Sequence, residues 1–307
     1  MRAIVFSQYG GPDVLRYEEL PDPVAKPGEI LVDVHAASVN GADYKVRRGG
    51  GPHQVRFPHV LGRDFSGVVR GLGVGVDAFA VGDPVFGVLQ QGQEGAYAEK
   101  LVVSAAIVAR KPAWLSHVEA AAVGLVGLTA IWAIEDTARL LPGETILIQG
   151  GAGGVGGFAI QLAHDLGGKI ITTASAANRD YVSRLGASQV IDYATADFTS
   201  IGRVCDVAFD TVGGEVQVRS YEVLKPGGRL VWIAAAPAGF VPTRRDVELV
   251  RPAVLRDRAH LERIVSLLES GAVTLPPIQR FPLADAAEAH RISEGRHLRG
   301  KLVLEVR

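Results

Sequence analysis

Midway along the chain, Thr145-Ile146-Leu147-Ile148-Gln149 runs directly into Gly150-Gly151-Ala152-Gly153-Gly154-Val155-Gly156-Gly157, and that run into Phe158-Ala159-Ile160-Gln161-Leu162-Ala163. The first stretch reads as a strand. The last reads as a helix, because apolar Val155, Ala159, Leu162, Ala163 and Leu166 recur at helical spacing. Between them Gly151, Gly153 and Gly156 stand at GxGxxG spacing. In that setting Gly151 serves a tight turn, Gly153 lets backbone approach a pyrophosphate, and Gly156 lets helix pack close on strand. The helix start, with Gly154 and Val155, adds free N–H groups and a partial positive charge. Together these features predict a dinucleotide site.

The surroundings extend that unit. Strand-like Thr145–Gln149, Lys169–Ala174, Gln189–Asp192, Cys205–Asp210 and Arg229–Ala234 alternate with helical segments, which predicts a doubly wound parallel sheet. Pro226-Gly227-Gly228 reads as a sharp turn into the fifth strand. The first third is different: short runs such as Ile30–Val34, Ser66–Val69 and Asp83–Gly87 lie between Gly and Pro turns, as in an all-β, partly closed barrel. From about Asp257 a helix ending at Gly271 and a final strand, Lys301–Val306, break the alternation and return the chain to the first domain.

Composition excludes several function classes. The 307 residues suffice for two domains, and the 48% apolar and 21% charged content is that of a globular enzyme. A net charge of −1 with no block of like charges gives nothing to draw nucleic acid or an anionic membrane. The apolar run Ala120–Ile134 is shorter than a bilayer span of roughly 20 residues and predicts a buried helix. No charged, apolar and cleavage regions follow one another after Met1, so a cytoplasmic location is expected. The single cysteine, Cys205, sits in an apolar strand and reads as a buried, inert thiol.

Several separate motifs, spread from end to end, carry a resemblance. Ser38-Val39-Asn40-Gly41-Ala42-Asp43-Tyr44-Lys45, Pro58-His59-Val60-Leu61-Gly62-Arg63-Asp64-Phe65-Ser66-Gly67, Ala120-Ala121-Ala122, Gly127-Leu128-Thr129-Ala130, Asp210-Thr211-Val212-Gly213-Gly214 and Gly300-Lys301-Leu302-Val303-Leu304 are the segments concerned. In them the chain resembles the zinc-independent quinone oxidoreductases and enone reductases of the medium-chain dehydrogenase/reductase superfamily. The resemblance implies a GroES-like barrel built from both chain ends (residues 1–121 and 256–307) around a Rossmann domain (residues 122–255), with the active site in the cleft. It also implies a homodimer pairing the strand Asp246-Val247-Glu248-Leu249-Val250 across a two-fold axis.

Zinc-dependent relatives carry a cysteine where this chain has Asn40, and His-Glu where it has Arg63-Asp64. With one cysteine and eight scattered histidines, no metal site is expected. The acid that would grip an NAD ribose is due roughly 20 residues past the glycines. That region, Thr172-Thr173-Ala174-Ser175-Ala176-Ala177-Asn178-Arg179, has no carboxylate at the strand end. Ser175 and Arg179 suit a 2′-phosphate instead, so NADPH is the expected cofactor. Tyr193 resembles a third phosphate contact. Asp180 reads as a first-turn helix acid, favoured by the dipole.

Hydride delivery to an enone or quinone places negative charge on the substrate oxygen, and without a metal polar side chains must stabilise it. By resemblance Asn40, Tyr44 and Lys45 are the catalytic candidates. Asn40 is also expected to touch nicotinamide or its ribose, and Asp43 to cap or brace the loop. Thr129, at a helix start, and Val212, in a strand-end turn, would line the nicotinamide, with backbone groups of Ile233 and Ala234 on its carboxamide. The expected function is an NADPH-dependent reductase of small quinones or α,β-unsaturated carbonyl compounds, with no nucleic-acid or membrane partner. An enoyl-thioester reductase and a non-catalytic NADPH-binding redox sensor are the rival readings; Arg244-Arg245 is too small a basic cluster to establish a coenzyme A groove. Loops Gly49–Phe57 and Pro237–Arg245 would shape the pocket.

Overall fold

The computed structural model describes residues 1–50, 54–242 and 244–307. Residues 51–53 and 243, in the two loops expected to shape the pocket, lie outside the described residues. The chain forms two compact units: Met1–Leu125 with Arg256–Ser266 and Leu275–Arg307, and Val126–Leu255 with Leu267–Thr274.

In the second unit Gln189–Asp192, Lys169–Ala174, Thr145–Gln149, Cys205–Asp210, Leu224–Trp232 and Glu248–Val250 lie side by side in that order, all parallel. Numbered along the chain this is 3-2-1-4-5-6, the doubly wound order of a Rossmann sheet. Its inner strands are apolar throughout because helices cover both faces: Ile146, Leu147, Ile148, Val207, Ala208 and Phe209 are all fully buried. The sixth strand, expected over Asp246–Val250, is only Glu248–Val250. Pro226-Gly227-Gly228 is a bulge rather than a turn between elements. The register with Cys205–Asp210 slips between Leu224 and Arg229, and Gly227, at φ +78°, donates its N–H to Asp246 O. Leu267–Thr274, expected with the barrel, packs with this unit because Gln161 Oε1 accepts from both the N and the Oγ1 of Thr274, each at 2.8 Å.

The first unit holds, among the described residues, a seven-stranded sheet. Its order is Ile278–Pro282, Lys301–Glu305, Glu29–Val39, Asp64–Leu72, Pro84–Val88 and Val108–Arg110, with Lys100–Ser104 also pairing Glu29–Val39. The chain end therefore does return to the first domain. Along Glu29–Val39 burial alternates until His35 and is then nearly continuous, so the strand passes from a half-solvated face into the interior. Ile30, Val32, Val34, Phe65, Val85, Leu302 and Leu304 share one apolar core, each worth about 1.5–3 kcal/mol buried.

The helix over Ala120–Ile134 is longer than expected. It runs His117–Ile131 and continues in π-helical turns to Thr137. By length and composition alone it could cross a membrane, but 72% of its most apolar window is buried in the fold, as befits a core helix. Cys205 is fully buried, and burial pushes its thiol up to about 12, which makes it inert at neutral pH.

Candidate active site

The glycine turn is pinned by its neighbours. Gly150 N donates to Thr173 Oγ1 at 3.0 Å, Gly151 N to Thr173 O at 3.0 Å, and Gly153 N to Gly150 O at 3.1 Å. The residue needing glycine for its conformation is Gly150, at φ +74°, not Gly151 as the motif suggested. Gly151 is constrained by space: a Cβ there would collide with Thr172 Oγ1 and Ile160 Cδ1. Gly156 acts as expected, since a Cβ would strike the Gly150 carbonyl oxygen. At Gly153 a Cβ would meet only that same oxygen, at 3.5 Å, so the turn is open there. Gly153 caps the helix Gly154–Asp165. The N–H groups of Gly154, Val155 and Gly156 have no carbonyl four residues earlier in the helix, which leaves three donors facing the open side.

Residues after the fourth strand meet this turn at the point where the strand order reverses. Val212 Cγ2 lies 3.3 Å from where a Gly150 Cβ would stand, and Val212 is 44% exposed. Asp210, fully buried, accepts from Val212 N and Gly213 N and so fixes that corner. Ile233 N donates to Asp210 O at 3.1 Å, so of the Ile233 backbone groups expected at the carboxamide the carbonyl is the one not used in this bond. Thr129 is buried and lies two residues before the end of the α-helix His117–Ile131, not at a helix start.

At the end of the second strand, Ser175 Oγ accepts from Asn178 Nδ2 at 3.2 Å. Arg179 opens the helix Arg179–Arg184 and donates through Nη1 to Val190 O at 3.2 Å, with no acceptor for its other guanidinium nitrogens among the described residues. Tyr193 N donates to Ala174 O at 3.4 Å, which brings the backbone of this exposed residue to the end of the same strand. The three residues expected to hold a 2′-phosphate thus share one strand-end corner. Asp180 stands in the helix's first turn, as its dipole role requires. The open glycine face, three helix N–H groups and this corner fit a phosphate-bearing dinucleotide.

In the first unit, the expected catalytic segment forms a short helix, Gly41–Arg47, that the sequence pattern did not disclose. Asn40 is its N-cap residue, but the side chain makes no cap hydrogen bond. It turns inward: Nδ2 donates to Asp64 Oδ2 at 2.6 Å and to Ser38 O at 3.3 Å, while Oδ1 accepts from Lys301 Nζ at 2.7 Å. The amide expected to face substrate is therefore committed to the protein. Asp64, fully buried, also accepts from Ser38 Oγ and from Leu125 N, both at 2.6 Å. Lys301 makes a further bond to Val39 O at 3.0 Å, and burial lowers its pKa. Tyr44 is buried and Lys45 exposed.

Asp43 does brace the loop. It is fully buried, accepts from Asn40 N at 2.9 Å and from Tyr97 OH at 2.8 Å, and burial pushes its carboxyl up to about 6. Behind it, Tyr97 OH lies 3.4 Å from His290 Nε2, and Arg47 Nη1 donates to His290 Nδ1 at 3.0 Å. Arg47 in turn pairs with Glu294. Arg63 donates to Glu94 Oε1 through Nε at 3.2 Å and Nη2 at 3.0 Å. Burial alone would push Glu94 up, but His59 at 3.6 Å, backbone N–H groups and Arg63 outweigh it and hold the carboxyl at about 2.

Zinc does not fit this donor set. Asn40 Oδ1 already takes an ammonium, Arg63 is a second buried cation, and no three His, Cys, Asp or Glu side chains converge among the described residues. Ser38, Arg63, Asp64, Glu94, Tyr97, His290 and Lys301 were not among the expected site residues. Arg63-Asp64 and Gly300-Lys301 stood out only as family markers, and nothing in the pattern joins Lys301 to Asn40 across 261 positions.

One pH effect follows from this arrangement. Burial and then Arg47 lower His290 from 6.5 to about 3, so the folded state holds it neutral. As pH falls below 6.5 the unfolded chain takes a proton that the folded chain refuses, and stability is lost progressively toward pH 3. Between pH 7 and 4 this residue should cost about 3 kcal/mol, at ~1.4 kcal/mol per pKa unit. Urea unfolding of His290→Gln should show a flatter acid limb by that amount; an unchanged limb would refute the assignment.

Two family descriptions match the chain: “Alcohol dehydrogenase GroES-like domain” over residues 26–113 and “Zinc-binding dehydrogenase” over residues 185–304. A quinone oxidoreductase of Pseudomonas aeruginosa is 32% identical, covering 99% of both chains. Among solved structures, the quinone oxidoreductase from Coxiella burnetii is 36% identical with a TM-score of 0.92, over 100% of this chain and 99% of that one. The Escherichia coli quinone oxidoreductase complexed with NADPH is 30% identical with a TM-score of 0.90, over 100% of both. With its Rossmann sheet, its GroES-like domain and these relatives, the chain belongs to the quinone oxidoreductase branch of the medium-chain dehydrogenase/reductase superfamily and is an NAD(P)H-dependent oxidoreductase.

Proposed function

We propose that this chain uses NADPH to reduce quinones or α,β-unsaturated carbonyl compounds without a metal. The observation that carries the cofactor choice is the strand-end corner, where Ser175, Arg179 and Tyr193 gather and the strand Lys169–Ala174 ends without a carboxylate of its own. The cofactor, when bound, supplies a hydride. Gly151, Gly153, Gly154, Val155 and Gly156 would hold its pyrophosphate, with Val212 and Thr129 toward the nicotinamide and Ala234 backbone toward the carboxamide. In the barrel unit Asn40 and Asp64 hold the catalytic segment in place, while Tyr44 and Lys45 remain the segment's own candidates for substrate contact. Pairing of two copies through the free edge Glu248–Val250 would give a homodimer; a monomeric mass in solution would refute it.

The test is cofactor oxidation with a quinone, a short enone and crotonyl-CoA at matched concentrations. Turnover with the first two supports the reading; turnover with the thioester alone, or binding with no turnover, overturns it. Arg179→Ala should raise KM for NADPH about ten- to a hundredfold, the worth of a charge-assisted hydrogen bond, and leave KM for NADH nearly unchanged. Equal effects on both cofactors would remove the 2′-phosphate assignment.

A further inference from the structure

We propose that Arg63 is the group that receives the negative oxygen of the substrate, the role a metal plays elsewhere; this rests on the reductase reading above. The donors nearest Asn40 in the buried polar cluster of the barrel unit are engaged with one another. Asn40 Nδ2 is engaged by Asp64 and Ser38 O, Ser38 Oγ by Asp64, Tyr97 OH by Asp43, and two of the Lys301 N–H groups by Val39 and Asn40. The third Lys301 N–H belongs to a residue only 3% exposed. Arg63 differs. Its Nε and Nη2 both point at one carboxylate oxygen of Glu94, which locks the guanidinium plane by one edge. Its Nη1 edge has no acceptor among the described residues, although the side chain is more than nine-tenths buried.

Nη1 is not one of the buried atoms left without a partner, so this edge of an otherwise buried cation opens to solvent, where a ligand oxygen can replace water. The guanidinium's planar fork suits an oxyanion, and its low-dielectric setting makes that contact count. Glu94 is the positioning partner. Already at about 2, its carboxyl stays ionised across the neutral range and keeps the guanidinium oriented.

On an enone, the electron pair arriving as hydride forms a C–H bond at the β-carbon. The alkene pair shifts into a new C–C double bond and the carbonyl π pair moves onto oxygen, giving an enolate and an oxidised nicotinamide. The Nη1 edge of Arg63 donates to that oxygen, and a proton from solvent then completes the saturated ketone. On a quinone the same addition leaves a keto-enolate; the carbon that took the hydride then releases a proton to solvent as the remaining carbonyl oxygen takes one up, which gives the oxyanion of the hydroquinone.

Para-nitrophenolate, a planar oxyanion, tests the contact without turnover. The wild-type chain with NADP should bind the anion, and Arg63→Met should weaken that binding about tenfold or more while leaving NADPH affinity unchanged. In steady state Arg63→Met should lose about a hundredfold in kcat, and added guanidinium should restore part of the turnover of Arg63→Ala. Phenolate binding by Arg63→Met equal to wild type would overturn the proposal. Should Arg63→Met lose its fold by circular dichroism, Arg63→Lys decides, since it keeps a cation beside Glu94. A fall in its kcat with unchanged KM for NADPH supports the proposal, and a full kcat overturns it. If the wild type reduces no acceptor, the reductase reading fails, and the phenolate titration still decides whether Arg63 binds an oxyanion.

Discussion

Gly156→Val should abolish NADPH binding and lower the unfolding free energy by about 2–3 kcal/mol, the cost of overpacking a site that cannot yield. A Cβ at Gly156 meets the Gly150 carbonyl oxygen and the Gly151 Cα, which are backbone and cannot rotate away. To relieve the contact the helix Gly154–Asp165 must lift from the strand Thr145–Gln149, and its N-terminal donors move with it. Gly153→Ala separates the two effects. Its Cβ meets only one oxygen, at 3.5 Å, so the fold should lose no more than about 1 kcal/mol while NADPH binding weakens markedly. Fluorescence titration with NADPH alongside urea unfolding measures both. Wild-type NADPH affinity in Gly153→Ala would show that the phosphates do not approach that residue.

Asp64→Ala should be the most damaging single change in the barrel unit, at about 3–5 kcal/mol. It takes one acceptor from three donors at once, buried Ser38 Oγ and Asn40 Nδ2 and part-buried Leu125 N. It also removes an anion that favours the charged form of Lys301. Asp64→Asn keeps one accepting oxygen and should lose less. Denaturant midpoints compare the two; equal stability of Asp64→Ala and wild type would mean that the network contributes nothing to the fold.

The nucleotide half was legible because its constraints are local. Strand, glycine run and helix are consecutive, and close approach forbids side chains at two positions, of backbone at Gly156 and of Thr172 and Ile160 at Gly151. Even there the residue with positive φ is one place earlier than the motif implies, because spacing reports on packing more directly than on dihedral angles. The barrel half was legible only in outline. Asn40 was singled out as a group facing substrate, yet its amide is turned inward by Asp64 and Lys301. Those partners arrive from other strands of the sheet, and the pairing Leu302 with Val39 that delivers Lys301 is a matter of register between chain ends. Hydrophobic periodicity specifies which face of a strand is buried; it does not say which polar side chains will meet there.

The row of contacts behind Asp43 has a direction. Arg47 can only donate, so His290 must accept at Nδ1 and carry its hydrogen on Nε2; Tyr97 then accepts from the imidazole and gives its own hydrogen to Asp43. Every hydrogen in the row has one place, and the reverse arrangement would require a neutral arginine. Such a row cannot pass protons along, since it has no second state to return from. It behaves as a rivet, fastening the helix Gly41–Arg47 at both ends to the helix Ala286–Glu294.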